Sequence, residues 1–309
     1  YAVIENDLRR VLAYSLNNQL GFMMVGIGIG TELALNGTAA HAFSHILYKA
    51  LLFMSMGAVL YRVGTVNGSE LGGLYKSMPW TTGFCIVGAA SISAFPLFSG
   101  FISKSMILSA AGGEGLLVVW LVLLLASAGV FHHSGIKIPY FAFFAHDSGK
   151  RCEEAPMNML VAMAIAAALC VGIGVYPAPL YALLPFPVDY VPYTGSHVLT
   201  QLQLLAFSAL AFSILMRTGI YPPELRLVNL DVDWLYRRAA PRLVRALFAG
   251  SAAAWAETAA LVLRPVRGAT AWMQAHHGPE GLLARTWTTG GMALWAAVLL
   301  AAYLLFYYL

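Results

Sequence analysis

The sequence is short of charge. Acidic and basic residues together make up 10% of its 309 positions, against about 25% in an ordinary soluble domain, and its mean hydropathy is +0.72. That deficit excludes a soluble globular domain and a nucleic-acid binder, which needs a dense basic face, while a 60% apolar content excludes a disordered chain. Cysteine is scarce as well. Cys85, Cys152 and Cys170 lie far apart, form no C-x-x-C pair, and two of them fall inside apolar runs, so no disulfide framework, metal cluster, redox centre or other cofactor is expected. What remains is an all-α polytopic membrane protein, in which a net charge of +4 reports topology. The chain opens on Tyr1 with no initiator methionine and no signal-peptide pattern, and it reads as one part of something longer.

A bilayer-spanning helix takes about 20 mostly apolar residues. Seven stretches qualify: 11–31, 38–61, 82–109, 115–145, 157–176, 199–217 and 289–308. The third and fourth are too long for one straight span and contain Pro96 and Pro139, so both are expected to be broken helices. Residues 220–285 are less apolar and hold Pro222, Pro223, Pro241 and Pro265; this segment is expected to lie along the cytoplasmic side, with an amphipathic surface helix over 242–263. The chain thus divides into a transmembrane bundle (1–219), an interfacial segment (220–285) and a last transmembrane helix (286–309). Alternating through seven spans puts every arginine on one side, from Arg9 and Arg10 to Arg285, together with Lys76 and Lys150. The opposite loops 32–37, 110–114 and 177–198 carry no Lys or Arg. The N-terminus is therefore expected in the cytoplasm and the C-terminus outside.

Three lysines remain inside the spans: Lys49, Lys104 and Lys137. A charge at the bilayer centre costs about 2.5–3.5 kcal/mol even on the mild insertion scale, so such residues usually face a hydrated interior and serve a function. Histidines accompany them. His41 and His45 precede Lys49 at i, i+4, i+8 on one helix face, a ladder with a rise of about 6 Å per step, which needs bridging waters for proton transfer; His132 and His133 lie a turn before Lys137. Around Ser93, Pro96, Ser99 and Gly100 an interrupted helix is expected at membrane depth, freeing backbone dipoles, with Lys104 one to two turns beyond. The plainer readings are that the imidazoles satisfy neighbouring carbonyls and that Lys137, near the end of its span, snorkels to the surface. No Asp or Glu falls in the middle of a span, so these lysines lack a carboxylate partner within the chain. Either desolvation lets them cycle between neutral and charged forms, or the partner acid belongs to another subunit or a missing half. Gly26-Ile27-Gly28-Ile29-Gly30 lies in an apolar span and serves helix packing. His276-His277 has no third ligand near it, so no metal site is expected.

Asp7-Leu8-Arg9-Arg10-Val11-Leu12-Ala13-Tyr14-Ser15, then Gln19-Leu20-Gly21-Phe22, then His41-Ala42-Phe43-Ser44-His45-Ile46-Leu47-Tyr48-Lys49-Ala50-Leu51-Leu52-Phe53 resemble the antiporter-like subunits shared by Mrp-type cation/proton antiporters and respiratory complex I. Ala94-Phe95-Pro96 to Phe101-Ile102-Ser103-Lys104 resembles that family's second broken helix. The resemblance implies that Lys49 is the central proton-channel lysine, Lys104 the lysine of the distal broken helix, and His41 and His45 relay groups; Lys137, His132 and His133 are expected as further pathway residues from their place within a span alone. It also implies that 1–219 corresponds to the second of two inverted repeats, the first being absent together with its glutamate–lysine pair. Asn229 to Arg238 resembles the D component of bacterial Mrp-type antiporters, whereas an extension with a surface helix and one last span is similar to the largest complex I antiporter-like subunit. The expected function is that of a proton-translocating component of a multisubunit Na+/H+ antiporter in the bacterial inner membrane. The alternative is a non-redox membrane-arm component of a complex I-like NADH:quinone or related oxidoreductase. Expected partners are other membrane subunits, including one that supplies the first repeat, and the lipid bilayer; no nucleic acid is expected.

Overall fold

The computed structural model describes residues 1–226, 229–279, 281 and 288–308, without the side chains of 249, 250 and 252–254. Arg285 and the 285/286 boundary lie outside the described residues. Every named element among them is helical, and the protein is an all-α polytopic membrane protein. The described chain forms two compact units, Tyr1–Asn229 and Leu230–Leu309.

In the first unit, α1 (Leu8–Ile29) starts where the Asp7 carboxylate accepts the N–H groups of Arg9 and Arg10 at 2.8 and 3.1 Å, and stops at Gly30 in the left-handed conformation. The second helix, α2 (Glu32–Val63), is capped by Thr31 and ends at Gly64. At about 1.5 Å per residue it is long enough to cross a bilayer and project beyond it. The start of α1 and the end of α2 meet, Leu8 N–H donating to the Val66 carbonyl at 3.0 Å and Gly68 N–H to that of Asn6 at 2.8 Å; Arg9, Arg10 and Arg62 therefore share one end of the bundle. Packed on α2 are α1, α3 (Pro79–Ile92), α4 (Ser99–Gly113) and α6 (Met157–Val175). Between α4 and α6 runs α5 (Leu117–Phe144), and α7 (Gly195–Thr218) lies against α5. The second unit consists of α8 (Ala240–His277), led in by a π-turn over Leu235–Ala239, and α9 (Thr289–Tyr308).

Five described helices are by themselves long and apolar enough to cross a membrane: α2, α5, α6, α7 and α9. The expected seven are reached only by adding α1, whose Ser15, Asn17, Asn18 and Gln19 lower its hydropathy, and the α3–α4 pair, each half of which is short of a full span.

Residues 93–98 separate α3 from α4. Ala94 and Leu97 have φ of 57° and 75°, a region that costs a non-glycine residue about 1–2 kcal/mol, and the surroundings hold them there. Leu97 N–H donates to the Tyr193 hydroxyl at 3.2 Å, which itself donates to the Gly174 carbonyl at 2.5 Å, while Gln201 Nε2 donates to the Ser93 carbonyl at 3.2 Å. The Ser91 and Ser99 hydroxyls meet across the gap at 2.8 Å. Gly100 brings α4 so close to the Ser91 carbonyl that a Cβ would overlap it, and Gly135 does the same beneath the Ser93 hydroxyl.

Two expectations need correction. Pro139 does not break its helix. The backbone widens into π-turns over Phe131–Ile136 and Tyr140–Phe144, so the missing proline N–H and its ring are absorbed in looser turns and α5 continues. The helix expected over 242–263 is also not confined to those residues: α8 runs for 38 residues, straight through Pro265.

Gly100→Ala is expected to lower stability by about 1–3 kcal/mol, because the added methyl forces α4 away from Ser91. The thermal unfolding midpoint of the purified protein checks this: a lower midpoint is expected, and an unchanged one contradicts the close approach.

Candidate functional site

The interior-facing row of α2 carries His41, His45 and Lys49, all buried. The Lys49 ammonium donates to the Leu12 carbonyl at 3.0 Å and to the Ser15 hydroxyl, both on α1. Hydrogen bonds from a charged donor contribute about 1.5–3 kcal/mol each, enough to offset most of the cost of holding an ammonium at membrane depth. Ser15 Oγ also accepts from Ser134 Oγ at 3.0 Å, and Ser134 Oγ lies 2.8 Å from His133 Nδ1. His133, Ser134, Ser15 and Lys49 thus form one unbroken hydrogen-bonded chain across α5, α1 and α2. Each hydroxyl in it can donate and accept at once, the property a proton relay requires.

A second group lies further along α2. His41 Nδ1 is 3.0 Å from Ser103 Oγ on α4. The adjoining Lys104 donates to the Ile92 carbonyl at 2.7 Å. Ile92 is the last residue of α3, so the break frees this carbonyl for the ammonium. Phe22 stands between the two, its ring centroid 5.9 Å from that of His41 and 5.3 Å from Lys104 Nζ. The ring centroids of His41 and His45 are 6.3 Å apart, too far for direct transfer, and the Nε2 atoms of both have no hydrogen-bond partner among the described residues. Tyr48 closes the row, its ring centroid 5.5 Å from that of His45 in an edge-on arrangement and its hydroxyl donating to Gln19 Oε1 at 2.9 Å.

Lys137 belongs to neither group, and it overturns two expectations. It does not snorkel: its side chain is fully buried, donating to the carbonyls of Val3 at 2.6 Å and Glu5 at 2.8 Å. Nor does it lack an acid. Glu224, in the loop after α7, lies 2.8 Å from Nζ with its own side chain only 6% exposed. Glu224 is outside every span, and only the return of this loop over α5 brings it to the lysine. Burial pushes its carboxyl above the ordinary glutamate value, the Lys137 ammonium opposes that shift, and the negative charge of Glu5 adds to it. His132 turns away from its neighbour His133 and packs on aromatic rings, stacked on Tyr221 at 5.4 Å and edge-on to Phe212 at 5.2 Å.

The structure therefore joins Lys49 to His133 by hydrogen bonds, brings His41 and Lys104 against the same Phe22 ring, and sets Lys137 and His132 apart near the N-terminal segment. Sequence reasoning missed Ser15, Ser134, Ser103 and Glu224. Ser15 and Gln19 could have been found as the polar members of the buried i, i+4, i+7 row that Phe22 completes on α1.

Residues 1–127 match the NADH:quinone oxidoreductase/Mrp antiporter transmembrane family. Hydrogenase-4 component B of Escherichia coli is 31% identical over 194 residues, 55% of this chain and 29% of that protein. A component of the Na(+)/H(+) antiporter of Alkalihalophilus pseudofirmus is 35% identical over 154 residues, 50% of this chain and 30% of its own. The chain thus spans under a third of the length of these curated relatives. Among solved structures, a chain of the membrane-bound sulfane sulfur reductase, an archaeal respiratory membrane complex, has the same fold. It aligns with a TM-score of 0.57 at 23% identity, over 98% of this chain and 53% of that one.

Glu224→Ala leaves Lys137 buried and unpaired and is expected to cost about 3–5 kcal/mol, whereas replacing both partners by apolar residues, Lys137→Met with Glu224→Leu, restores most of the loss. Denaturant unfolding of the purified protein measures both. Equal losses in the single and double variants would show that the two side chains are not buried as a unit.

Proposed function

We propose that this chain, whose residues 1–127 match the transmembrane family shared by NADH:quinone oxidoreductases and Mrp antiporters, is a proton-translocating membrane component of a multisubunit cation/proton antiporter, with Na+ as the exchanged cation. One observation carries the proposal: the hydrogen-bonded chain from His133 through Ser134 and Ser15 to Lys49, buried among apolar helices. Protons enter this chain at His133, collect on Lys49, and pass by way of bridging water to His45 and His41. Lys104 then exchanges them with one aqueous face through the break at Pro96, where the Ile92 carbonyl holds its ammonium. Two ammonium groups in one low-dielectric interior repel each other, so loading one favours discharge of the other. The partners in this reading are other membrane subunits, one of which supplies the first inverted repeat. The membrane is the bacterial plasma membrane, with the arginine-rich ends cytoplasmic.

A second reading has its own support. A hydrogenase component stands among the relatives, and the fold match that covers nearly the whole chain is to a member of a respiratory complex. In that reading the same relay serves the membrane arm of an oxidoreductase whose redox chemistry lies in other subunits.

In inverted vesicles carrying the assembled complex, sodium is expected to collapse an imposed pH gradient, and Lys49→Ala to abolish the response without loss of assembly. Transport retained in Lys49→Ala removes Lys49 from the path. Proton movement seen only with an electron donor moves the protein to the second reading.

A further inference from the structure

The Lys137–Glu224 pair lies off the route from His133 to Lys104, and it is built differently from a simple fastening. A buried fastening satisfies all its polar atoms. Glu224 Oε1 lies 2.8 Å from Lys137 Nζ as an ion pair, yet neither of its carboxylate oxygens has a hydrogen-bond partner among the described residues, although the side chain is only 6% exposed. Oε2 lies against Gly68, where a Cβ would stand 3.5 Å away, so the neighbouring residue on that side adds no side chain to shield it. Gly68 opens the single turn Gly68–Glu70, and the Glu70 carboxylate sits near the surface between Arg226 at 3.1 Å and Lys150 at 3.9 Å. On its inner side the pair stands one turn beyond His133 on α5, where the chain to Lys49 begins. The charged and titratable groups around it are Glu5 from the N-terminal segment, His132 and His133 from α5, Tyr221 from its own loop, and Glu70 and Arg226 beyond Gly68.

We infer that Glu224, with Lys137, is a proton-exchange station that loads the relay from the arginine-rich face. This rests on the reading of the His133-to-Lys49 chain as a proton path. A proton arriving from water at Oε2 turns the carboxylate into a carboxylic acid and leaves the Lys137 ammonium without its counter-charge. The ammonium then gives a proton, by way of bridging water, to the His133 imidazole one turn away on α5. Glu224 passes its own proton to the resulting amine, which restores carboxylate and ammonium. One proton has left the water and one has arrived on His133, and no other group is consumed.

The test compares proton movement by wild type, Lys49→Ala, Glu224→Gln, Glu224→Asp and the double variant Lys137→Met with Glu224→Leu, each as assembled complex in inverted vesicles. Glu224→Gln is expected to lower the rate about tenfold or more, Glu224→Asp to retain part of it, and the double variant to assemble yet remain inactive. Wild-type rates in Glu224→Gln or in the double variant, with Lys49→Ala inactive, overturn the station and leave the relay standing. Rates indifferent to both Lys49→Ala and Glu224→Gln overturn the relay and the station together. Should Glu224→Gln fail to assemble, the double variant decides, because its apolar pair does not depend on the missing charge.

Discussion

Three lysine side chains have to be kept inside an apolar bundle, and the bundle is arranged around that requirement. Each is held by backbone carbonyls: Lys49 by Leu12, Lys104 by Ile92, Lys137 by Val3 and Glu5. Such carbonyls are in short supply inside helices, which consume their own. Those of Ile92, Val3 and Glu5 lie at a helix end or before a helix begins, so the interruption between α3 and α4 and the turn that leads into α1 are the places where a charged side chain can find an acceptor. Of the three, only Lys137 has a carboxylate beside it among the described residues. Lys49 and Lys104 are held by dipoles and hydroxyls, which stabilise an ammonium without pinning its proton.

The backbone strain at Ala94 and Leu97 follows from the same requirement. Opening a helix in an apolar interior leaves N–H and C=O groups that must be paired, and here Tyr193 and Gln201 reach in from the α7 side to pair them. Gly100 and Gly135 then let the residues that flank the break approach their neighbours more closely than a side chain would allow. The break is thus a fixed part of the architecture, and it delivers the Ile92 carbonyl to Lys104.

Much of this was legible in the sequence. The places of most helices follow from apolar runs, the gap between α3 and α4 from Pro96 set among Ser93, Ser99 and Gly100, and the buried lysines from their position in those runs. The i, i+4, i+8 spacing also placed His41, His45 and Lys49 in one buried row. The partners were not legible. Ser15 and Ser134 come from helices far apart in sequence, and a serine in an apolar run is too common to single out. Glu224 sits in a polar loop, where a glutamate is ordinary until the fold turns that loop back on α5. Pro139 misled for a different reason: a proline predicts lost pairing, but whether the helix breaks or widens into π-turns depends on how tightly its neighbours hold it.

The central claim is that hydroxyl groups carry protons between His133 and Lys49. Proton transport by Ser15→Ala and Ser15→Thr in the assembled complex tests it most directly. Threonine keeps the hydroxyl and alanine removes it with little change in volume, so the account predicts transport lost in Ser15→Ala and largely kept in Ser15→Thr, with assembly equal in both. Wild-type transport in Ser15→Ala would contradict it.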